Sequence, residues 1–147
     1  MAKNRIEFVS IVRGIVPVIF DMTPKEAILF LRFEGEISTK EVVATAECAS
    51  AFVRGTRRHF VIIDASLQTI TADDHKTTVY WSGGLSQLPE GCRIAYIPPL
   101  ASAPKRARLV KEAAGRNGHT LRIYECVDEA TKWIRFEHDR PGTLAAE

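Results

Sequence analysis

The chain has 147 residues, 46% of them hydrophobic, with 20 Lys and Arg against 18 Asp and Glu for a formal charge of +2. That length suits one domain with one core, and a charge so near neutrality gives no net-charge argument for a nucleic-acid or membrane-surface protein. Cys48, Cys92 and Cys126 are widely spaced among apolar neighbours, which argues against a disulfide framework or a zinc site and predicts buried free thiols in a reducing cytoplasm.

At the N-terminus, Glu7, Arg13 and Pro17 interrupt any signal-peptide core or membrane span, and Ile6 to Val12 reads as an arm or an extra strand. Ile15 to Phe20 and Ala27 to Phe33 are apolar, β-rich runs on either side of Asp21 to Glu26, a linker containing Pro24. They predict an antiparallel hairpin, with Pro17, which lacks a donor, placing the first strand at a sheet edge. Ser38-Thr39-Lys40-Glu41 matches a capping box, and Val42, Ala46, Ala49 and Val53 share one face of the helix it opens, which should end near Gly55.

After the basic corner Arg57-Arg58-His59 comes Phe60-Val61-Ile62-Ile63, the pattern of a strand covered on both faces. It is expected to end on the carboxylate of Asp64 and to give way to a polar loop running to Asp74. Sites in open α/β sheets gather at the carboxyl ends of strands. Asp64, Ser66, Thr71, Asp73 and Asp74 are therefore candidate partner- or ligand-binding residues. A second helix should run from about Ala72 to Tyr80 or Trp81, with Asp73 and Asp74 in its first turn and Gly83-Gly84 as its stop. Ser82-Gly83-Gly84 lacks the strand-turn-helix context of a phosphate or nucleophile turn and reads as a terminator. Tyr80 and Trp81 read as core, or as the lining of an apolar cleft or interaction surface beside Pro98-Pro99.

Arg93 to Ile97 predicts a short strand closed by Pro98-Pro99, and Lys105 to Ala114 a helix entered through Pro104 with Leu109, Val110, Ala113 and Ala114 inward. Lys105, Arg106 and Arg108 make that helix locally basic, a candidate contact for an anion or an acidic partner. Thr120 to Tyr124 gives the last strand, and Val127-Asp128-Glu129 opens a final helix with Asp128 as N-cap and Ala130, Trp133 and Ile134 on one face. Residues 1–138 are expected to form one domain, with residues 1–14 an arm or strand and 139–147 a flexible tail. The fold class is α/β, a mixed, mostly parallel sheet with flanking helices in the order β-β-α-β-α-β-α-β-α.

The histidines, His59, His75, His119 and His138, fall at loop or helix-edge positions with no repeated spacing. Exposure is expected of them rather than metal binding. His75, with Thr77 or Thr78 as a hydroxyl partner, is the one acid/base candidate.

Phe33-Glu34-Gly35-Glu36-Ile37, Ile62-Ile63-Asp64-Ala65-Ser66 and Arg93-Ile94-Ala95-Tyr96-Ile97, in this element order, resemble the STAS family, the anti-sigma-factor antagonist fold, in its SpoIIAA-like branch. The resemblance covers residues 15–137. It implies a regulatory domain that binds a protein partner. Signalling members of that family carry a phosphorylatable serine in a stretch like Asp-Ser-Ser-Gly, where this chain has Ala72-Asp73-Asp74-His75. Asp73 then either supplies a permanent negative charge or caps a helix.

The expectation is a non-enzymatic cytoplasmic STAS-like interaction domain with no cofactor and no metal. Its surface for a protein partner would combine the loop after Asp64 with the second helix and the adjoining helix. Alternatives are a module binding a small apolar molecule or lipid near Tyr80 and Trp81, and a hydrolase or transferase using His75. Nucleic acid and a membrane span are not expected, and a homodimer is left open.

Overall fold

A computed structural model of the chain describes residues 15–19, 28–55, 59–69, 73–100 and 104–139. The hairpin linker, the residues Arg57 and Arg58, Thr71, Ala72 and the expected arm lie outside these, as does the tail beyond Asp139. The elements are β1 (Ile15–Ile19), β2 (Leu29–Glu36), α1 (Thr39–Arg54), β3 (Phe60–Thr69), α2 (Asp74–Leu85), β4 (Arg93–Ile97), α3 (Pro104–Arg116), β5 (Thr120–Ile123) and α4 (Val127–Asp139). This is the expected α/β order. Among the described residues, no helix is long and apolar enough to cross a membrane.

The strands line up in chain order, β1-β2-β3-β4-β5, with β1 antiparallel to β2 and the other pairings parallel. Pro17 sits in β1, an edge strand, opposite Leu31. Leu31, Phe33, Ile63 and Tyr96 cluster with residues of α1, α2 and α3. Their neighbours Phe30, Ile62, Ala95 and Ile97 cluster with Ala130, Trp133 and Ile134 of α4. One face of the sheet thus carries three helices and the other carries α4. The alternation of side chains along each strand makes the two cores from one set of sequences. An ion pair between Arg93 Nε of β4 and Glu137 Oε1 of α4, 3.0 Å, helps to fix α4 in place.

The capping box of α1 forms as expected: the Glu41 amide donates to Ser38 Oγ and the Ser38 amide to Glu41 Oε1, at 3.1 and 2.9 Å. Val42, Ala46, Ala49 and Val53 are all buried. In α3 the inward face is Ala107, Val110, Ala113 and Ala114, with Leu109 half-buried.

Several expectations need correcting. The strand through Ile63 does not end at Asp64 but continues to Thr69. Arg32 pairs with Asp64 while Glu34 pairs with Leu67, so two steps on β2 match three on β3 and one extra residue is accommodated there. Gly83 and Gly84 do not stop α2, which runs on to Leu85. They lie where α1 crosses, and a Cβ would meet Val43 Cγ2 at 3.3 Å from Gly83 and Val42 Cγ2 at 3.5 Å from Gly84. Close helix packing offsets their poor helix propensity. Asp128 lies inside the first turn of α4 and is not its N-cap. Cys48 and Cys126 are exposed, and only Cys92 is buried.

His119 is buried rather than exposed, whereas His59 is half-buried and His75 exposed; the side chain of His138 lies outside the description. The Cys92 amide donates to His119 Nδ1 at 3.3 Å, which leaves Nε2 to carry the proton and donate to the Leu85 carbonyl at 2.9 Å. This ring therefore joins the start of β5, the approach to β4 and the end of α2.

Three tests address this core. Ile62 is fully buried in the central strand, so Ile62→Asp should leave the chain unfolded in circular dichroism and size exclusion, since an unpaired buried charge costs several kcal/mol against a stability of roughly 5 to 15 kcal/mol. Burial pushes the Cys92 thiol up from 9.0 to about 12 and raises Tyr96 in the same direction. Stability from these groups is complete below about pH 9 and is lost as pH rises toward the folded values, because only the unfolded chain ionises freely there. A thiol reagent at pH 8 should modify Cys48 and Cys126 and spare Cys92 until denaturant is added, and Cys92→Ala should lessen the fall in Tm between pH 8 and 11.

Candidate functional site

The parallel pairing of β3 with β4 stops at Asp64 opposite Ile97, whereas its pairing with β2 continues to Glu36 opposite Thr69. The carboxyl ends of β2 and β3 therefore project past β4 as a two-stranded ribbon. A cavity of about 400 Å³ opens between this ribbon and the first turns of α1 and α2. Its walls include Glu36, Ile37, Ser38 and Thr39 on one side, Gln68 and Thr69 on the floor, and His75 to Thr77 with Val79 to Trp81 on the other.

Side-chain placement follows from local structure. Where β3 accommodates its extra residue, Asp64 Oδ1 accepts from the Ser66 amide at 3.0 Å and from Ser66 Oγ at 2.7 Å. Arg32 Nε lies 3.6 Å from the other oxygen of Asp64. Past this point the alternation of β3 is shifted, so that Gln68 is buried and Leu67 is 55% exposed. Gln68 pairs with Gly35, whose φ of +73° suits glycine.

Trp81 is core: its ring stacks on Phe33 at 5.8 Å and 7°, and meets Tyr96 edge-on at 5.3 Å. Tyr80, beside it, leaves part of its ring on the cavity wall, and its hydroxyl accepts from Gln68 Nε2 at 2.9 Å. Burial raises Tyr80 well above the ordinary phenol range, Gln68 lowering it and nearby Glu41 adding to the rise. The phenol thus keeps its proton across the physiological range.

Of the candidate residues, Tyr80, Trp81 and His75 line the cavity. Asp64 and Ser66 are bonded to each other within β3 and lie off its wall. Asp73 is the N-cap of α2 and accepts from the Lys76 amide at 2.8 Å. Asp74 begins the helix, and Thr71 lies outside the described residues. Lys105, Arg106 and Arg108 occupy the first turns of α3, away from the wall. Pro98-Pro99 is likewise not among the residues that line it. Gln68 escaped sequence reasoning, and continuing the strand to Thr69 would have found it; Thr77, named as a hydroxyl partner of His75, lines the cavity as well.

Among the described residues, no three His, Cys, Asp or Glu side chains gather as a metal site. Compared with family models, curated proteins and solved structures, the chain matches none.

The cap on α2 gives a direct test. Asp73→Ala should cost about 1 kcal/mol in urea unfolding, whereas Asp73→Asn, an equally good N-cap, should cost far less. Equal losses in the two variants would assign the contribution of Asp73 to its charge rather than to its hydrogen bond.

Proposed function

We propose that this chain is a non-enzymatic cytoplasmic binding module that holds a small, partly apolar molecule in the cleft between α1 and α2. The observation that carries this reading is the cavity of about 400 Å³, a volume within the ordinary range for small-molecule sites, which runs from about 300 to 1,000 Å³. Its composition supports the same reading. Ile37, Val79 and the rings of Tyr80 and Trp81 supply apolar surface, and polar residues such as Glu36, Gln68 and Lys76 complete the lining. His75 is exposed and makes no hydrogen bond to a described residue, so among the described residues no neighbour orients it as a general base would be oriented.

A second reading keeps the STAS resemblance in its signalling sense, with a protein partner docking over the start of α2. It is favoured by the position of Asp73, which is exposed at the helix start where the family carries its serine. The cap accounts for that carboxylate without a partner, so the small-molecule reading is preferred.

Native mass spectrometry of the chain purified from its source cells separates the two. The first reading expects a bound mass of small-molecule size. Val79, 53% exposed on the cleft wall, tolerates a long side chain at little cost to folding, and Val79→Arg should abolish that added mass by filling the cleft. A bare chain bound to a second protein, in a complex lost on Asp73→Asn, would replace the first reading with the second.

A further inference from the structure

The seam between α1 and α2 continues inward past the cleft. A second, smaller void of about 20 Å³ lies along it, lined by Phe33 of β2, Ile63 of β3, Ala46 and Ala49 of α1, Leu85 of α2 and Leu88 just beyond it. Trp81 lines both spaces. The order of residues agrees with one continuous groove. On α1 the walls pass from Ser38 and Thr39 at the cleft to Ala46 and Ala49 at the void, and on β3 they pass from Gln68 to Ile63.

The void is small and apolar for a local reason. Where α1 crosses Ile63 it offers only the methyl groups of Ala46 and Ala49, which leave part of the interior unfilled. Thr45 carries the only hydroxyl among the lining residues, so a water would find few partners there, whereas an apolar group would gain contacts on every side. Trp81, the shared wall, is held by packing. Its ring stacks on Phe33 and meets Tyr80 and Tyr96 edge-on, and its indole N–H has no hydrogen-bond partner among the described residues. Among those residues, no polar contact fixes the ring against a small turn that would join the two spaces.

The seam is also narrow. A Cβ at Gly83 would meet Val43 Cγ2 at 3.3 Å and one at Gly84 would meet Val42 Cγ2 at 3.5 Å, so the helices leave width for a single methylene chain and not for a ring. A volume near that of one water-sized group admits one chain end, and a two-chain lipid does not fit.

We infer that the cleft takes a single-chain aliphatic amphiphile, whose polar end stays beside Glu36, Ser38 and Lys76 and whose terminal methyl passes Trp81 into the inner void. This deepens the small-molecule reading above and rests on it.

The primary alcohols n-hexanol, n-octanol and n-decanol test it, titrated onto the full chain and followed by NMR, with filtered nuclear Overhauser spectra locating the terminal methyl of bound n-decanol. Binding should tighten about fourfold with each added methylene. The terminal methyl should contact Ala46, Ala49 and Leu88. Ala46→Leu, which fills the void, should cost n-decanol on the order of tenfold in affinity and n-hexanol far less. Should Ala46→Leu fold poorly, the contacts of the terminal methyl in wild type decide alone. Contacts confined to cleft residues such as Ile37 and Val79, or full-strength binding of n-decanol to Ala46→Leu, overturn the inference, make the void a packing defect only, and leave the small-molecule reading standing. Failure of every alcohol to bind wild type also overturns it, and the small-molecule reading then falls only if the chain from its source cells carries no bound mass.

Discussion

The shape of the site depends on how β3 accommodates one extra residue. A strand that keeps strict alternation would carry Leu67 and Thr69 on the same face as Ile63, and Gln68 on the other. The register shift opposite Arg32 to Glu34 reverses this, burying Gln68 and exposing Leu67. The shift is stabilised by Asp64, whose Oδ1 takes both the Ser66 amide and the Ser66 hydroxyl and whose other oxygen faces Arg32. A carboxylate buried in the middle of a sheet therefore has a structural role. It settles the polar groups of a bulge, and the bulge aims Gln68 at Tyr80.

The position of the cleft has a second cause, the unequal length of the strands. Strand order follows chain order throughout, so the parallel part of the sheet has no reversal of the kind that opens a crevice in doubly wound folds. A cavity arises instead because β2 and β3 outrun β4. Above their projecting ends, the first turns of α1 and α2 supply the walls. On its lining Trp81, held by a stacked contact with Phe33 and an edge-on contact with Tyr96, makes a firm base for Tyr80.

Helix α2 is held from three directions. Gly83 and Gly84 let α1 approach it closely, α3 packs on its other flank, and His119 ties its last turn to the starts of β4 and β5. A helix packed on both flanks shows a weak amphipathic pattern, which is why its end was hard to place from sequence. With its far end fixed by His119 and its near end capped by Asp73, the segment bearing Thr77 and Tyr80 has little freedom to move off the sheet.

The sequence by itself determined the elements whose signals are local. The capping box at Ser38, the apolar faces of α1 and α4, the edge position of Pro17 and the buried run from Phe60 to Ile63 all follow from side chains acting on their nearest neighbours in the chain. It also placed Tyr80 and Trp81 at a cleft or in the core, and the structure makes Trp81 core and Tyr80 both core-packed and wall. Tertiary structure alone decided the rest. Whether Asp64 ends a strand depends on a ladder with Arg32, whether Gly83-Gly84 stops a helix depends on how near α1 comes, and whether His119 is exposed depends on an amide and a carbonyl distant in the chain. Each is a contact between residues far apart in sequence, and no local pattern carries the distance between them.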